Sequence, residues 1–112
     1  MRFLYKICEL REWASFQKKK RFQGTKKDIR DGYIHLSKKS QIKKTLKKHY
    51  LKKDKLILLK IKISKLKRLI WEKSNDEKLF PHLYSFLNFG DIKSKHKIFL
   101  RKNGLHSILS KY

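Results

Sequence analysis

His35 stands between Ile34 and Leu36, Glu72 follows Trp71, and His82 and Tyr84 fall inside the run Leu79-Phe80-Pro81-His82-Leu83-Tyr84. Each is a polar side chain set into an apolar, strand-like segment, where burial is costly unless the group finds a partner or a ligand. The chain has only nine Asp and Glu, so a glutamate at the end of an apolar strand is not casual surface decoration. Two arrangements satisfy these four residues. One is an internal hydrogen-bond network that fixes strand register. The other is a ligand pocket, with His and Tyr side chains presented to a bound molecule for hydrogen bonding and stacking.

The familiar catalytic signatures are absent: the sequence has no GxGxxG, GxxxxGK[ST], HExxH or GxSxG and no paired Cys. The histidines at 35, 49, 82, 96 and 106 include no pair spaced i, i+4 on a predicted helix, so no metal site is assigned. Cys8 is the single cysteine. It cannot form an intramolecular disulfide, suits a reducing compartment, and reads as a small buried hydrophobe.

Short strands must position these side chains. Phe3 to Ile7 reads as a strand, and Leu10, Trp13, Ala14 and Phe16 make one face of a short helix. Gln17 to Lys27 reads as a basic connection containing Gly24. Asp31-Gly32 is a turn signal before a strand in which Tyr33, His35 and Ser37 share one face, opposite Ile34 and Leu36. Ser37 or Ser40 can cap the next helix, where Ile42, Thr45, Leu46, His49 and Tyr50 recur at helical spacing and lysines take the wet side. Leu56 to Ile63 is the strongest strand signal, with Ile57, Leu59, Ile61 and Ile63 on one side. Leu69 to Glu72 gives another strand, then a polar loop from Lys73 to Lys78. Leu83 to Leu87 is a further strand candidate, and Ile98 to Leu100 pairs with Leu105 to Leu109 through an Asn103-Gly104 turn. The expected fold is α+β: one small domain over residues 1–112, with short mixed or antiparallel strands and two helices in the N-terminal half.

The 112 residues suit one core, and 39% hydrophobic with 12% aromatic content is enough to build it. The 32 Lys and Arg against nine acids give a formal charge of +23, which predicts association with polyanions at low salt. Of those 32 residues 26 are Lys, whereas phosphate and base readers favour the bidentate fork of Arg. The charge alone therefore assigns no nucleic-acid function. No apolar run is long enough for a membrane span, and MRFLYKICELREW meets charge too early for a secretory leader, so a cytoplasmic location is expected.

Tyr5-Lys6-Ile7, Trp13, Phe22-Gln23-Gly24-Thr25 with Asp28, Asp31-Gly32-Tyr33-Ile34-His35-Leu36-Ser37, Gln41 with Thr45, Trp71-Glu72 and Phe80-Pro81-His82-Leu83-Tyr84 resemble, in order, the blocks of the small bacterial and plant family called domain of unknown function 952. The resemblance spans about residues 3–93, and the joint occurrence of DGYIHLS and FPHLY is its most specific part. That family is in turn similar, at the level of fold, to the ADP-ribosyltransferase-like group, which holds NAD in a cleft between small β-sheets.

The resemblance implies a nucleotide or NAD-type pocket in an active or degenerate domain of this kind. By it, His35 would bind the nicotinamide ribose, Tyr84 or Tyr33 would support the nicotinamide ring, and Glu72 would orient the sugar or stabilise positive charge as an N-glycosidic bond breaks. Glu72 and His35 are thus the catalytic candidates. Tyr33, His35, Ser37, Gln41, Trp71, His82 and Tyr84 are the ligand-binding ones. Lysines between 18 and 27 would neutralise a pyrophosphate, and Thr45 is assigned to structure. The competing assignments are a polyanion or RNA-binding module that works without these residues, and a structural module in which they pin the fold.

Overall fold

The computed structural model describes residues 1–74, 77–109 and 111–112. Its centre is a four-stranded antiparallel sheet in the order β1-β4-β8-β9, built from β1 (Phe3–Glu9), β4 (Leu56–Lys62), β8 (Ile92–Leu100) and β9 (His106–Ile108). A second, three-stranded sheet has the order β3-β6-β5, from β3 (Ile34–His35), β6 (Leu79–Leu83) and β5 (Leu69–Lys73). A third pairing joins the two-residue strands β2 (Arg21–Phe22) and β7 (Leu87–Asn88). Three α-helices lie among the described residues: α1 (Leu10–Lys19), α2 (Lys26–Asp31) and α3 (Ile42–His49).

The central sheet is buried on both faces because β1 and β4 are apolar at successive positions. Leu4 and Cys8 with Ile57, Leu59 and Ile61 pack on one side against Trp13, Phe16, Phe22, Ile34, Leu36, Leu83 and Leu87. Tyr5 and Ile7 with Leu56, Leu58 and Ile98 pack on the other side against Ile42 and Leu46 of α3. The expected alternation of Leu56 to Ile63 is present, and its second face closes a second core. Cys8 lies fully buried in the first core, and that burial pushes its thiol up to about 12.

All named strand pairings are antiparallel, one of the two arrangements expected. Five other expectations are corrected. The basic connection after Phe16 is mostly structured: α1 runs on to Lys19, Arg21–Phe22 is a strand, and α2 makes a third helix. Its signal was a capping box, in which Thr25 Oγ1 accepts from Asp28 N at 3.2 Å and Asp28 Oδ2 accepts from Thr25 N at 2.9 Å. The strand expected at Leu83 to Leu87 lies instead at Leu79–Leu83, with Pro81 inside it. Pro81 is tolerated because its carbonyl faces β3 and accepts from Leu36 N, so its missing donor falls where the β3 ladder has already ended at His35. Strand β8 begins at Ile92, its lysines at 93, 95 and 97 lying on the exposed side of a period-2 pattern. Neither Ser37 nor Ser40 caps α3; the turn before it is closed by Lys38 N donating to Gln41 Oε1 at 2.9 Å. Within the polar loop, Lys73 belongs to β5 and residues 75 and 76 lie outside the described residues.

Candidate functional site

The register of the three-stranded sheet sorts its side chains. His35 lies opposite His82, Ile70 opposite His82 on the other side, and Glu72 opposite Phe80. Because side chains alternate along a strand, Tyr33, His35 and Ser37, with Phe80, His82 and Tyr84 and with Ile70 and Glu72, share one face. The opposite face sends Ile34, Leu36 and Leu83 into the core. The polar residues that the sequence embeds in apolar strands thus form a continuous polar and aromatic surface. The sheet is tied to β1 where Tyr5 and Ser37 exchange both backbone hydrogen bonds, at 2.9 and 2.8 Å.

His35 is held by Asp28, which the capping box places beneath it. Asp28 Oδ1 accepts from His35 Nδ1 at 2.6 Å and from His35 N at 3.1 Å. Asp28 Oδ2 takes Lys6 Nζ at 2.7 Å, and that ammonium also donates to His35 O at 3.0 Å. Both charges are buried, with side-chain exposures of 1% for Asp28 and 4% for Lys6. Burial alone would raise the Asp28 carboxyl, but the His35 hydrogen bond and the Lys6 charge outweigh it and hold the group well below the usual carboxylate range. A carboxylate only accepts, so Nδ1 carries a proton and Nε2 is the ring atom left to face the cleft. Around Nε2 stand Lys27 Nζ and Asp31 Oδ2, each 3.1 Å away and 3.0 Å from each other. Gly24 makes this packing possible: it has φ +118°, and a Cβ there would lie 2.4 Å from Asp28 Cβ.

His82 has its own carboxylate. Glu72 Oε1 accepts from His82 Nδ1 at 2.8 Å and from the Tyr84 hydroxyl at 2.6 Å. These bonds, Tyr84 first, draw the Glu72 carboxyl below its ordinary value, and the same bond pushes the Tyr84 phenol up to about 12. Tyr33 stacks on His82 with ring centres 4.1 Å apart and leans on His35 at 4.6 Å, while the two imidazoles lie 5.5 Å apart.

A cleft of about 460 Å3 opens over this surface. That volume suits a small-molecule site. Tyr33, His35, Ser37 and His82 line it from the sheet, Lys27, Asp28 and Asp31 from α2, and Thr45, Lys48 and His49 from α3, with Lys44 and Lys73 also on the wall. Its lining carries five lysines, at 6, 27, 44, 48 and 73, against two aspartates, at 28 and 31. Burial first, then the charges of Lys27 and Lys48, hold the His49 imidazole below its ordinary value.

Among the candidates, Tyr33, His35, Ser37 and His82 meet at the cleft. Glu72 and Tyr84 stand behind His82 and reach the cleft through it. Trp71 points to the opposite face of the sheet from Glu72 and is partly exposed. Gln41 is fully engaged, its Nε2 donating to Leu79 O at 2.8 Å and its Oε1 accepting from Lys38 N, so it ties the start of α3 to β6. Thr45, assigned to structure, bonds to Ser37 Oγ and Gln41 O and also lines the cleft. Of the lysines expected to meet a pyrophosphate, Lys27 lines the cleft, and Lys18 to Lys20 do not.

The sequence reading missed Asp28, Lys6, Asp31, Lys48 and Lys73 as site residues. Asp28 and Lys6 had a signal: a T-x-x-D cap beside a glycine, and a lysine alone within the apolar run from Phe3 to Cys8. Lys48 and Lys73 had none, since nothing distinguishes them from the other lysines.

No curated protein matches the chain. Solved structures do. The crystal structure of protein CC0527 from Caulobacter crescentus is 32% identical, with 94% of this chain and 93% of that chain covered and a TM-score of 0.88. The solution structure of CC0527 is 33% identical over 94% and 91% of the two chains, with a TM-score of 0.82. The family model described as protein of unknown function (DUF952) matches residues 7–95, which include the whole three-stranded sheet and every residue lining the cleft except Lys6, and the chain belongs to that family.

Proposed function

We propose that the cleft binds a nucleotide bearing a pyrophosphate, of the NAD and ADP-ribose type, in a domain of ADP-ribosyltransferase-like kind. The observation that carries this reading is the meeting of a ring-lined floor, Tyr33, His35 and His82, with a lysine wall that includes Lys27, Lys48 and Lys73. Rings and an imidazole nitrogen suit a base and ribose hydroxyls; ammonium groups suit phosphate oxygens. The resemblance to the transferase-like group points the same way, since the cleft lies beside the junction of two small sheets at the Tyr5 and Ser37 bridge. In this reading His35 contacts the ribose through Nε2, Ser37 lies beside it, and Lys27 exchanges Asp31 for phosphate. Glu72 is a positioning residue that acts through His82 and not directly on the sugar.

The test is a thermal-shift titration of the wild type and His35→Ala with NAD, ADP-ribose and a short RNA at about 50 and 300 mM salt, a range over which the counterion contribution collapses. Stabilisation by NAD or ADP-ribose that persists at the higher salt and disappears in His35→Ala supports the reading. A second reading, association with RNA or another polyanion, is favoured by the formal charge of +23 and by exposed Lys43 and Lys47 on α3. It predicts stabilisation by RNA alone, at low salt alone, in both proteins.

A further inference from the structure

We propose that His35 and His82 form a general base and general acid pair that transfers a phosphoryl group within a ribose 3′-phosphodiester bound in the cleft. The proposal rests on the nucleotide-binding reading above and goes beyond it by naming a reaction. Two imidazoles with ring centres 5.5 Å apart line one wall of the same cleft. Each has a carboxylate on Nδ1, Asp28 at 2.6 Å for His35 and Glu72 at 2.8 Å for His82. A carboxylate on Nδ1 fixes the tautomer and orients the ring, which leaves Nε2 as the atom that exchanges a proton with substrate. The surroundings of the two rings differ. His82 is buried and stacked under Tyr33, with Glu72 on its Nδ1, which fixes it as the ring that donates toward the leaving oxygen. His35 Nε2 lies at the Lys27 end of the cleft, 3.1 Å from Lys27 Nζ and from Asp31 Oδ2, where the attacking hydroxyl meets it. Asp31, 3.0 Å from Lys27 and beside the same ring nitrogen, is displaced as the ligand's phosphate pairs with Lys27, which opens Nε2 to the substrate.

The step balances without a co-reactant. His35 Nε2 takes the proton from the ribose 2′-hydroxyl, and the 2′-oxygen forms a bond to phosphorus. The bond from phosphorus to the leaving alkoxide breaks, and His82 Nε2 delivers a proton to that oxygen. The products are a 2′,3′-cyclic phosphate and an alcohol, and the two imidazoles regain their starting states by exchange with solvent. The lysine wall stabilises charge on the equatorial oxygens.

The experiment uses two substrates, adenosine 3′-(methyl phosphate) and adenosine 3′-(4-nitrophenyl phosphate), in EDTA, with product followed by phosphorus NMR or nitrophenolate absorbance. The variants are His35→Asn and His82→Asn, whose amide keeps a donor toward Asp28 or Glu72 while removing Nε2; melting curves confirm that both fold. Loss of the base or the acid is expected to cost about 100-fold or more. His35→Asn should therefore lose about 100-fold on both esters. His82→Asn should lose as much on the methyl ester and stay within about tenfold of wild type on the nitrophenyl ester, whose leaving group needs no proton. Absence of product from wild type while ADP-ribose still stabilises the protein would overturn this proposal and leave the binding reading intact. Equal losses on both esters in both variants would overturn the acid and base assignment. Absence of stabilisation by NAD and ADP-ribose would overturn the binding reading, and this proposal with it.

Discussion

Replacing Asp28 with Asn tests the arrangement that supports His35. The carboxylate accepts from Lys6 Nζ, His35 Nδ1, His35 N and Thr25 N, and it neutralises an ammonium that is 4% exposed. Asn keeps the shape and one acceptor but leaves Lys6 buried with no counter-charge, a change that costs about 3–5 kcal/mol in folded proteins. A domain of 112 residues falls between the size classes for which 1 kcal/mol shifts Tm by about 4–8 °C and about 2–4 °C, so the expected loss is roughly 12–20 °C. The companion variant is Lys6→Met with Asp28→Asn, which removes both charges; a buried pair replaced by neutral groups is often tolerated, so it should recover a substantial part of that loss. Urea unfolding followed by tryptophan fluorescence measures both. The pH profile supplies an independent check. The Asp28 carboxyl lies well below its ordinary 3.8 in the folded chain, so the unfolded chain binds the extra proton first. Its stabilisation is therefore complete above about pH 4 and is lost as pH falls further, a slope that Asp28→Asn should flatten. A cost for Asp28→Asn below about 1 kcal/mol, or a double variant no more stable than the single, would refute the argument from the buried pair.

Other consequences are as specific. In Glu72→Gln the Tyr84 phenol should ionise closer to its ordinary 10.0 than to about 12, read by absorbance near the phenolate band, because the charged acceptor that raises it is gone. An unchanged titration would show that Glu72 and Tyr84 are not bonded in solution. The Cys8 thiol, buried and pushed up to about 12 from 9.0, should react with a thiol reagent at pH 8 only as fast as the protein unfolds, and at once in urea. Because its folded value is raised, its contribution to stability is present below pH 9.0 and is lost as pH rises toward 12. Gly24→Ala should destabilise by about 1–3 kcal/mol in a urea melt, since it forces a Cβ onto Asp28 at φ +118°; a neutral result would contradict the packing of that loop.

The parts of the fold that rest on one-residue alternation were legible. Leu56 to Ile63, Leu69 to Glu72 and the hairpin around Asn103-Gly104 follow from periodicity and turn chemistry, and the structure has them within a residue or two. Helix α2 was obscured by its three basic residues, although Thr25 and Asp28 spell its cap and Gly32, at φ +88°, ends it. Proline displaced the β6 assignment because the cost of a missing donor depends on which neighbouring strand the N–H would face, and that is a tertiary fact. The same division holds for the site. Polar groups at His35, Glu72, His82 and Tyr84 announced themselves against apolar neighbours, and the register brings them together on one face. Gln41 and Trp71 did not join them because their side chains are committed to the α3 turn and to the far side of the sheet. The Lys48 and Lys73 wall was illegible, since a functional ammonium and a solvent-facing one look alike in a chain with 26 lysines.

The central claim, that the ring-lined cleft is where a nucleotide binds, is tested most directly by amide chemical-shift mapping with ADP-ribose at about 300 mM salt, where diffuse counterion-driven association is suppressed. Nucleotide binding in the cleft predicts saturable shifts that cluster at Tyr33, His35, Ser37, His82 and the Lys27 to Asp31 part of α2, and that are lost in His35→Asn. Shifts scattered over the exposed lysine faces of α3 and β8, or no shifts at all at that salt, would contradict it.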